Sequence, residues 1–585
     1  MNRRELFAAS AALAGASVLP AAAWASAISR PRPGQAGWPS DAEWDALSRA
    51  TGGRLIPGGR PALETPEARA LLANPFYIGD QPGLTESSGW LDAWRSSPSA
   101  YVVRAESAAD IAAAVRFAGA HNLRLVVKGR GHSYLGASNA PDSLLVWTRA
   151  MDGVTVHDAF TPAGSDVAPV PAVSMGAGCM WLHAYQAVTN VAGRYVQGGG
   201  CNTVGVAGLV QGGGFGSYSK AFGLAAASLL EAEVVTADGR IYVVNHAQGP
   251  DLFWALKGGG GGTFGVISRL TLATHPLPEN FGAVRLNIKA GSDEAFRRLL
   301  AAFIDVYANN LCNPHWGETA HIHGDNRLEI TMSFQDLTQA QAAAAWKPLL
   351  DFTAASPGDY QGQGGFFCVT VPARRFWDAD FLRRYAPGAT TSDSRPGAPA
   401  TDFSWSGDGD QIGLFWHAYT SAWLPEDLLE PRNRPRLVDA WFAASRHAQV
   451  GVHFNKGLAG ADPSVIAAAR DTAMNPDVTE AFALAIIATG EGSLFTDSRP
   501  DLVSARARAT RIQAAMAALR VAAPNTGAYV NECDYFQPDW QRAFWGANYA
   551  RLARTKRRYD PAGLFTVHHG VGSEAWSTDG FTRTP

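Results

Sequence analysis

Two glycine-dense stretches constrain this chain more than any other feature, because each brings the backbone close to something and each holds one nucleophilic side chain. The first is Lys128-Gly129-Arg130-Gly131-His132-Ser133-Tyr134, directly after the mostly apolar run 123–127. The second runs Gly198-Gly199-Gly200-Cys201-Asn202-Thr203-Val204-Gly205-Val206-Ala207-Gly208 and continues through Gly212-Gly213-Gly214-Phe215-Gly216. Glycine lets backbone approach a ligand and turn its N–H groups toward a phosphate. Taken singly, His132 reads as a buried turn histidine and Cys201 as an inert buried thiol. Found together in these contexts, they read as two nucleophiles, each able to bond a flavin's dimethylbenzene ring or its edge.

Other stretches add to this pattern in a fixed order. Tyr101-Val102-Val103-Arg104 precedes a helix, and Asp251-Leu252-Phe253-Trp254-Ala255-Leu256-Lys257-Gly258-Gly259-Gly260 follows the second glycine stretch. Trp545-Gly546-Ala547-Asn548-Tyr549-Ala550-Arg551-Leu552 and Tyr559-Asp560-Pro561 close the chain. With these motifs the sequence resembles the berberine-bridge-enzyme-like branch of the vanillyl-alcohol oxidase flavoproteins over nearly its whole length. The resemblance implies an α+β fold. A split PCMH-type FAD-binding domain would be made of an N-terminal and a C-terminal segment, beside an antiparallel-sheet α+β substrate domain. It implies FAD bonded at 8α by His132 and at C6 by Cys201. Cofactor contacts are implied at Gly129, Arg130, Gly131, Ser133, Thr203, Gly205, Gly208 and Asn548.

At 585 residues the chain is too long for one ordinary core. The expected division is a signal at 1–27, a lead-in at 28–95 and the FAD-binding domain at 96–275. The substrate domain follows at 276–524, and 525–585 returns to the FAD domain. A formal charge of −3 with mixed signs gives no footprint for nucleic acid or an anionic membrane. Five cysteines in so long a chain make no disulfide framework. The N-terminus carries paired Arg3 and Arg4, an apolar alanine-rich stretch and small-residue cleavage sites near Ala25 and Ala27. This is a secretory pattern that resembles a twin-arginine signal, with Asn2 where a Ser often stands. It predicts delivery by the twin-arginine translocon to the periplasm or the medium. No later segment offers the ~18 apolar residues of a membrane span.

Local signals place the motifs. Ser107-Ala108-Ala109-Asp110 is a capping box that opens a helix to about His121. Residues 232–236 and 240–244 flank Asp238-Gly239 as a hairpin. Gly260-Gly261-Gly262-Thr263-Phe264-Gly265 matches the dinucleotide fingerprint in form, but it leads into a strand and lacks the helix that would cradle pyrophosphate. A tight backbone passage beside the flavin is the better account. Beyond His275-Pro276-Leu277-Pro278, alternation at 327–334, 412–419 and 449–454 predicts antiparallel strands. Helices are expected at 340–350 and 465–474. The loop 387–410 is dense in Gly, Pro, Ser, Thr and Asp and is expected to overhang the pocket.

For an alcohol, hydride leaves carbon for flavin N5 while a base takes the hydroxyl proton. The family usually carries Tyr-x-Asn-Tyr near its C-terminus, with the second Tyr as base. Here the stretch is Tyr529-Val530-Asn531-Glu532, so a carboxylate stands at that place. Glu532, with Tyr529 and Asn531, is the expected catalytic set, and burial is expected to raise the carboxyl pKa toward working pH. His417 and His453 lie on apolar strand patterns and read as core histidines. No His/Glu or Cys/His spacing suggests a metal. In the family, Val at the position of Val204 tends to admit dioxygen to the flavin. The expected activity is therefore an oxidase of alcohol or sugar-type substrates that yields hydrogen peroxide. A dehydrogenase using another electron acceptor is the second reading. A non-catalytic, exported carbohydrate-binding protein is the third.

Overall fold

The computed structural model describes residues 28–496 and 499–584, so the expected export signal lies outside the described residues. The capping box forms: Ser107 Oγ accepts from the Asp110 N–H at 3.2 Å and Asp110 accepts from the Ser107 N–H at 3.0 Å. Helix α1 therefore starts at Ala108 and runs to Ala120. It packs Ile111, Ala114, Val115 and Ala118 against a four-stranded sheet. That sheet holds β1 (Leu55–Pro57), β2 (Tyr101–Arg104), β3 (Leu125–Lys128) and β4 (Leu144–Trp147), in the order β1-β2-β4-β3. The pairs β2–β4 and β3–β4 are parallel. The turn carrying His132 leaves from the end of β3.

A second, five-stranded antiparallel sheet completes the first domain. Its strands are β5 (Val154–Phe160), β6 (Val170–Gly176), β7 (Leu229–Val235), β8 (Ile241–Val244) and β9 (Val266–Ala273), ordered β8-β7-β9-β6-β5. The Asp238-Gly239 hairpin joins β7 to β8, with Gly239 at φ 71°.

The second domain is one ten-stranded sheet. Its long strands are β10 (Asn280–Ala290), β11 (Trp316–Ile322), β12 (Arg327–Gln335), β13 (Leu414–Pro425), β14 (Val450–His453) and β15 (Ala481–Glu491), running β10-β12-β11-β14-β15-β13. Helices α2 (Asp293–Val306), α3 (Gln339–Ala354), α4 (Arg434–Ser445) and α5 (Leu502–Arg520) cover one face. Phe303, Trp346, Trp441 and Ile512 from these helices meet Ala418, Ala422, Val450 and Val452 of the sheet in one core. Side chains alternate along a strand, so Tyr419, Trp423 and His453 point the other way, toward the first domain. The helix expected over 465–474 is shorter, Pro463–Arg470.

The segment 28–95, expected as a lead-in, carries short helices such as Asp41–Ala50 and is also built into both sheets. Leu55–Pro57 joins the first domain, while Ser87–Trp90 and Trp94–Arg95 extend the large sheet beyond β13. These strands are short and polar and carry no periodic signal. At the other end, Phe565 bridges Leu125 in parallel, which ties residues after α6 (Tyr549–Tyr559) to the first domain. No described helix is long and apolar enough to cross a membrane.

Candidate active site

A cavity of about 500 Å³ lies between the glycine stretches of the first domain and the open face of the large sheet. This is within the ~300–1,000 Å³ typical of ligand sites. His132 and Cys201 both border it, with Gly129, Arg130, Gly131, Ser133, Gly205 and Gly208. Thr203 stands behind that wall and touches both nucleophiles. Its hydroxyl is 3.3 Å from His132 Nε2 and 3.7 Å from Cys201 Sγ. The contact engages Nε2 of the imidazole. Burial, helped by the Arg130 charge, pushes the His132 pKa down to about 3, so the ring is neutral. Burial, with Asp408 and Glu86 nearby, pushes the Cys201 thiol well up.

The residues present fit FAD on several counts. Side chains built on Gly200, Gly208 or Gly261 would meet no atom within 4 Å and would enter the cavity instead. Arg130 is a buried cation whose Nε has no hydrogen-bond partner among the described residues. Burial lowers its pKa to about 10, which keeps it charged and suited to a pyrophosphate. Gln211 Oε1 and His569 Nδ1, also in cavity-lining residues, are likewise unpaired among the described residues. The glycine-rich 260–262 passage borders the same space.

The C-terminal stretch enters from the far side. Tyr529, Asn531 and Glu532 all line the cavity. The Tyr529 hydroxyl accepts from the Asn531 amide at 3.1 Å and from the Gly214 N–H at 3.3 Å. A Cβ on Gly212 would collide with the Asn531 amide, so glycine at this position admits the C-terminal segment. Glu532 is held by its own N–H on the Tyr529 carbonyl and by Ser421 Oγ, which donates to the Glu532 carbonyl at 2.5 Å. Its carboxylate accepts two bonds from Lys456 Nζ, at 2.6 and 2.5 Å. The expected buried carboxyl is therefore one half of a partly buried ion pair.

Residues 98–245 match the FAD binding domain family, and residues 528–572 match the berberine and berberine-like family. The FAD-linked oxidoreductase ZEB1 of Gibberella zeae is 29% identical, covering 93% of this chain and 93% of its own. The crystal structure of the VAO-type flavoprotein MtVAO615 from Myceliophthora thermophila C1 superposes with a TM-score of 0.78 at 26% identity, over 95% of this chain and 100% of that one. The chain carries a FAD binding domain and a berberine-like domain and is similar along nearly its whole length to VAO-type flavoproteins. It is an FAD-dependent oxidoreductase, with a PCMH-type FAD-binding domain in an α+β fold, and the carbohydrate-binding-protein reading loses its ground. The glucooligosaccharide oxidase of Acremonium strictum, described with a 6-S-cysteinyl, 8α-N1-histidyl FAD, shares the fold at a TM-score of 0.63 and 18% identity, over 91% of this chain and 99% of its own.

Some residues of the flavoprotein fall elsewhere than expected. Asn548 lies outside the cavity lining, its amide donating to the Met474 carbonyl at 2.7 Å, and Trp545, Val567 and His568 border the cavity from that segment instead. His453, expected in the core, faces the cavity, because Val450 and Val452 take the core side of β14. His417 is buried away from it, 3.5 Å from Glu491. The loop 387–410 reaches the site through Asp408, within the turn Ser406–Gln411. Glu318 would point to the core by alternation. It takes φ 71°, a conformation non-glycine residues rarely adopt, and borders the cavity instead. Lys456, Glu86, Glu318 and the rings of Trp416 and Tyr419 had no sequence signal at all. All five cysteines are free.

Proposed function

We propose that this flavoprotein is an exported oxidase with a doubly attached FAD that oxidises an alcohol or sugar-type substrate and returns electrons to dioxygen. The observation that carries the reading is one hydroxyl, Thr203 Oγ1, touching both His132 and Cys201 on a single cavity wall. That contact holds the imidazole and the thiol side by side at the cavity wall. A neutral imidazole is a competent nucleophile without further activation, whereas the Cys201 thiol must first give up its proton. The relative from Acremonium strictum, described with this pair of linkages, supports the reading by analogy.

When bound, FAD supplies the hydride acceptor and, once reduced, the electrons that turn dioxygen into hydrogen peroxide. The chain supplies the rest. Glu532 takes the substrate hydroxyl proton, Lys456 fixes the carboxylate, and Tyr529 with Asn531 shapes the adjacent wall. Export would deliver the enzyme, folded and loaded, to the periplasm or medium.

Acid precipitation tests the attachment. The yellow colour should stay with the denatured protein, His132→Ala should leave only a cysteinyl flavin, and Cys201→Ala only a histidyl one. Release of all the colour would end the claim.

Val204 decides between oxygen and another electron acceptor. It borders the cavity three positions after Cys201 and is partly exposed to it. One added methylene in a packed wall closes a space the size of a diatomic molecule. Val204→Leu should therefore slow reoxidation of reduced enzyme in aerated buffer at least tenfold, while reduction by substrate stays within about twofold. If the parent enzyme stays reduced for minutes in stopped-flow mixing, the dehydrogenase reading replaces the oxidase.

A further inference from the structure

The part of the cavity nearest Cys201 holds two carboxyl groups that the proposed chemistry does not use. Glu86 is 5% exposed, and no described residue donates a hydrogen bond to its carboxyl group or forms an ion pair with it. Its position is set by backbone: its N–H donates to the Gly131 carbonyl at 3.0 Å, and its carbonyl accepts from the Gly413 N–H at 2.6 Å. It is thereby strung between the His132 turn and the end of the 406–411 turn. Asp408 comes from that turn, and its Oδ2 is buried without a hydrogen-bond partner among the described residues. Burying carboxyls without partners is costly, so a site that keeps two of them has a use for them.

A second feature lies at the same place. Tyr134, Trp416 and Tyr419 line the cavity and form a closed triad, with ring centroids 4.9 Å, 5.2 Å and 5.1 Å apart. The rings are fixed in place: Trp416 Nε1 donates to Ser87 Oγ at 2.9 Å and the Tyr134 hydroxyl donates to Gln411 Oε1 at 3.0 Å. Aromatic faces attract organic cations, most strongly where water is excluded. Carboxyls alone would suit a metal or a sugar hydroxyl, and rings alone would suit any apolar group. A sugar can also stack on a ring and bond a carboxylate, but only an organic cation in addition offsets the buried negative charge.

We propose that Glu86 and Asp408, with the ring triad of Tyr134, Trp416 and Tyr419, form a subsite that holds a protonated or quaternary amine of the substrate. The inference rests on the cavity being the flavin and substrate site. It narrows the substrate to an alcohol that also carries a positive charge. The site is charge-poised for this purpose. Burial and the nearby Asp408 push the Glu86 pKa up to about 8, with Arg130 opposing. Burial raises Asp408 to about 6. At pH 7 Glu86 is then mostly protonated and Asp408 mostly charged. A cation entering the subsite favours the charged form of Glu86, so binding should release a proton.

The test compares choline with 3,3-dimethylbutan-1-ol, two alcohols of the same shape that differ in charge. Isothermal titration calorimetry on the purified, flavin-loaded enzyme, photoreduced and kept anaerobic, reads binding without turnover, so the result stands or falls independently of the oxidase reading. Choline should bind at least tenfold more tightly than the neutral alcohol and release protons at pH 7, seen as heats that change with buffer. In the double variant Glu86→Gln, Asp408→Asn the preference should vanish while the neutral alcohol binds as before. Tyr419→Leu, which leaves both carboxyls in place, should weaken choline more than its neutral partner. Equal binding of the two alcohols, no measurable choline binding, or a preference that survives in the charge-neutral variant would overturn the proposal.

Discussion

Glu532→Gln should slow reduction of the enzyme by its substrate by ~10²–10⁴-fold, the usual loss when a general base is removed. The substitution keeps the size and most of the hydrogen bonding of the side chain, and only its ability to take a proton is lost. The flavin absorption spectrum and the covalent attachment should be unchanged, because His132 and Cys201 lie on the opposite wall. The rival role for Glu532 is charge balance for Lys456, whose ammonium lies within 2.6 Å of it. Replacing both residues, Glu532→Gln with Lys456→Met, separates the two roles. That double variant removes charge and countercharge together, so a purely balancing carboxylate would let the rate recover. We expect no recovery. Stopped-flow reduction at near the parent rate in Glu532→Gln would instead move the proton transfer to Tyr529 or His453, the other groups facing the same space.

The parts of this site that were legible in the sequence are those whose chemistry is local. His132 and Cys201 announce themselves through their own glycine neighbours, and Ser107 with Asp110 caps a helix within four residues. The rest is assembled by pairing across long separations. Ser87–Trp90 runs parallel to the start of β13 more than three hundred positions away, which is what brings Glu86 and Trp416 to one cavity. Alternation told which residues of β14 share a face but not which face is buried by helices, so His453 was placed in the core. Lys456 follows that strand in a turn, where a lone lysine reads as solvated surface. Asn548 failed for another reason. The resemblance implied a cofactor contact there, but the carbonyl of Met474, more than seventy positions away, accepts from its amide. Glu318 defeats alternation outright, through a single left-handed residue inside a strand.

Asp560→Ala should destabilise the flavoprotein by about 3–5 kcal/mol, the cost of stranding one partner of a buried ion pair. Lys556 and Asp560 are 6% and 2% exposed and sit one turn apart at the end of α6. Lys556 Nζ donates to Asp560 Oδ2 and to the carbonyls of Thr263 and Phe565, each at 2.6 Å. Asp560 also accepts from the N–H groups of Leu564 and Phe565, at 2.8 and 2.9 Å. Four polar groups from the last segment and the glycine-rich 260–263 passage thus depend on two side chains. Burial already lowers the Lys556 pKa, with Asp560 working against that shift. Without the carboxylate the ammonium must deprotonate or draw in water, and two backbone donors lose their acceptor. Differential scanning calorimetry should show a lower unfolding temperature. The effect should also reach the cofactor, because this clamp holds Val567, His568 and Gly570 against the cavity. Flavin bound per protein, measured on freshly purified Asp560→Ala, should fall below that of the parent. The paired replacement Lys556→Met, Asp560→Leu fills the same space without charge and should regain part of the lost stability. An unchanged unfolding temperature with full flavin content in Asp560→Ala would mean that the C-terminal segment is anchored by its apolar contacts alone, Leu552 and Phe565 foremost.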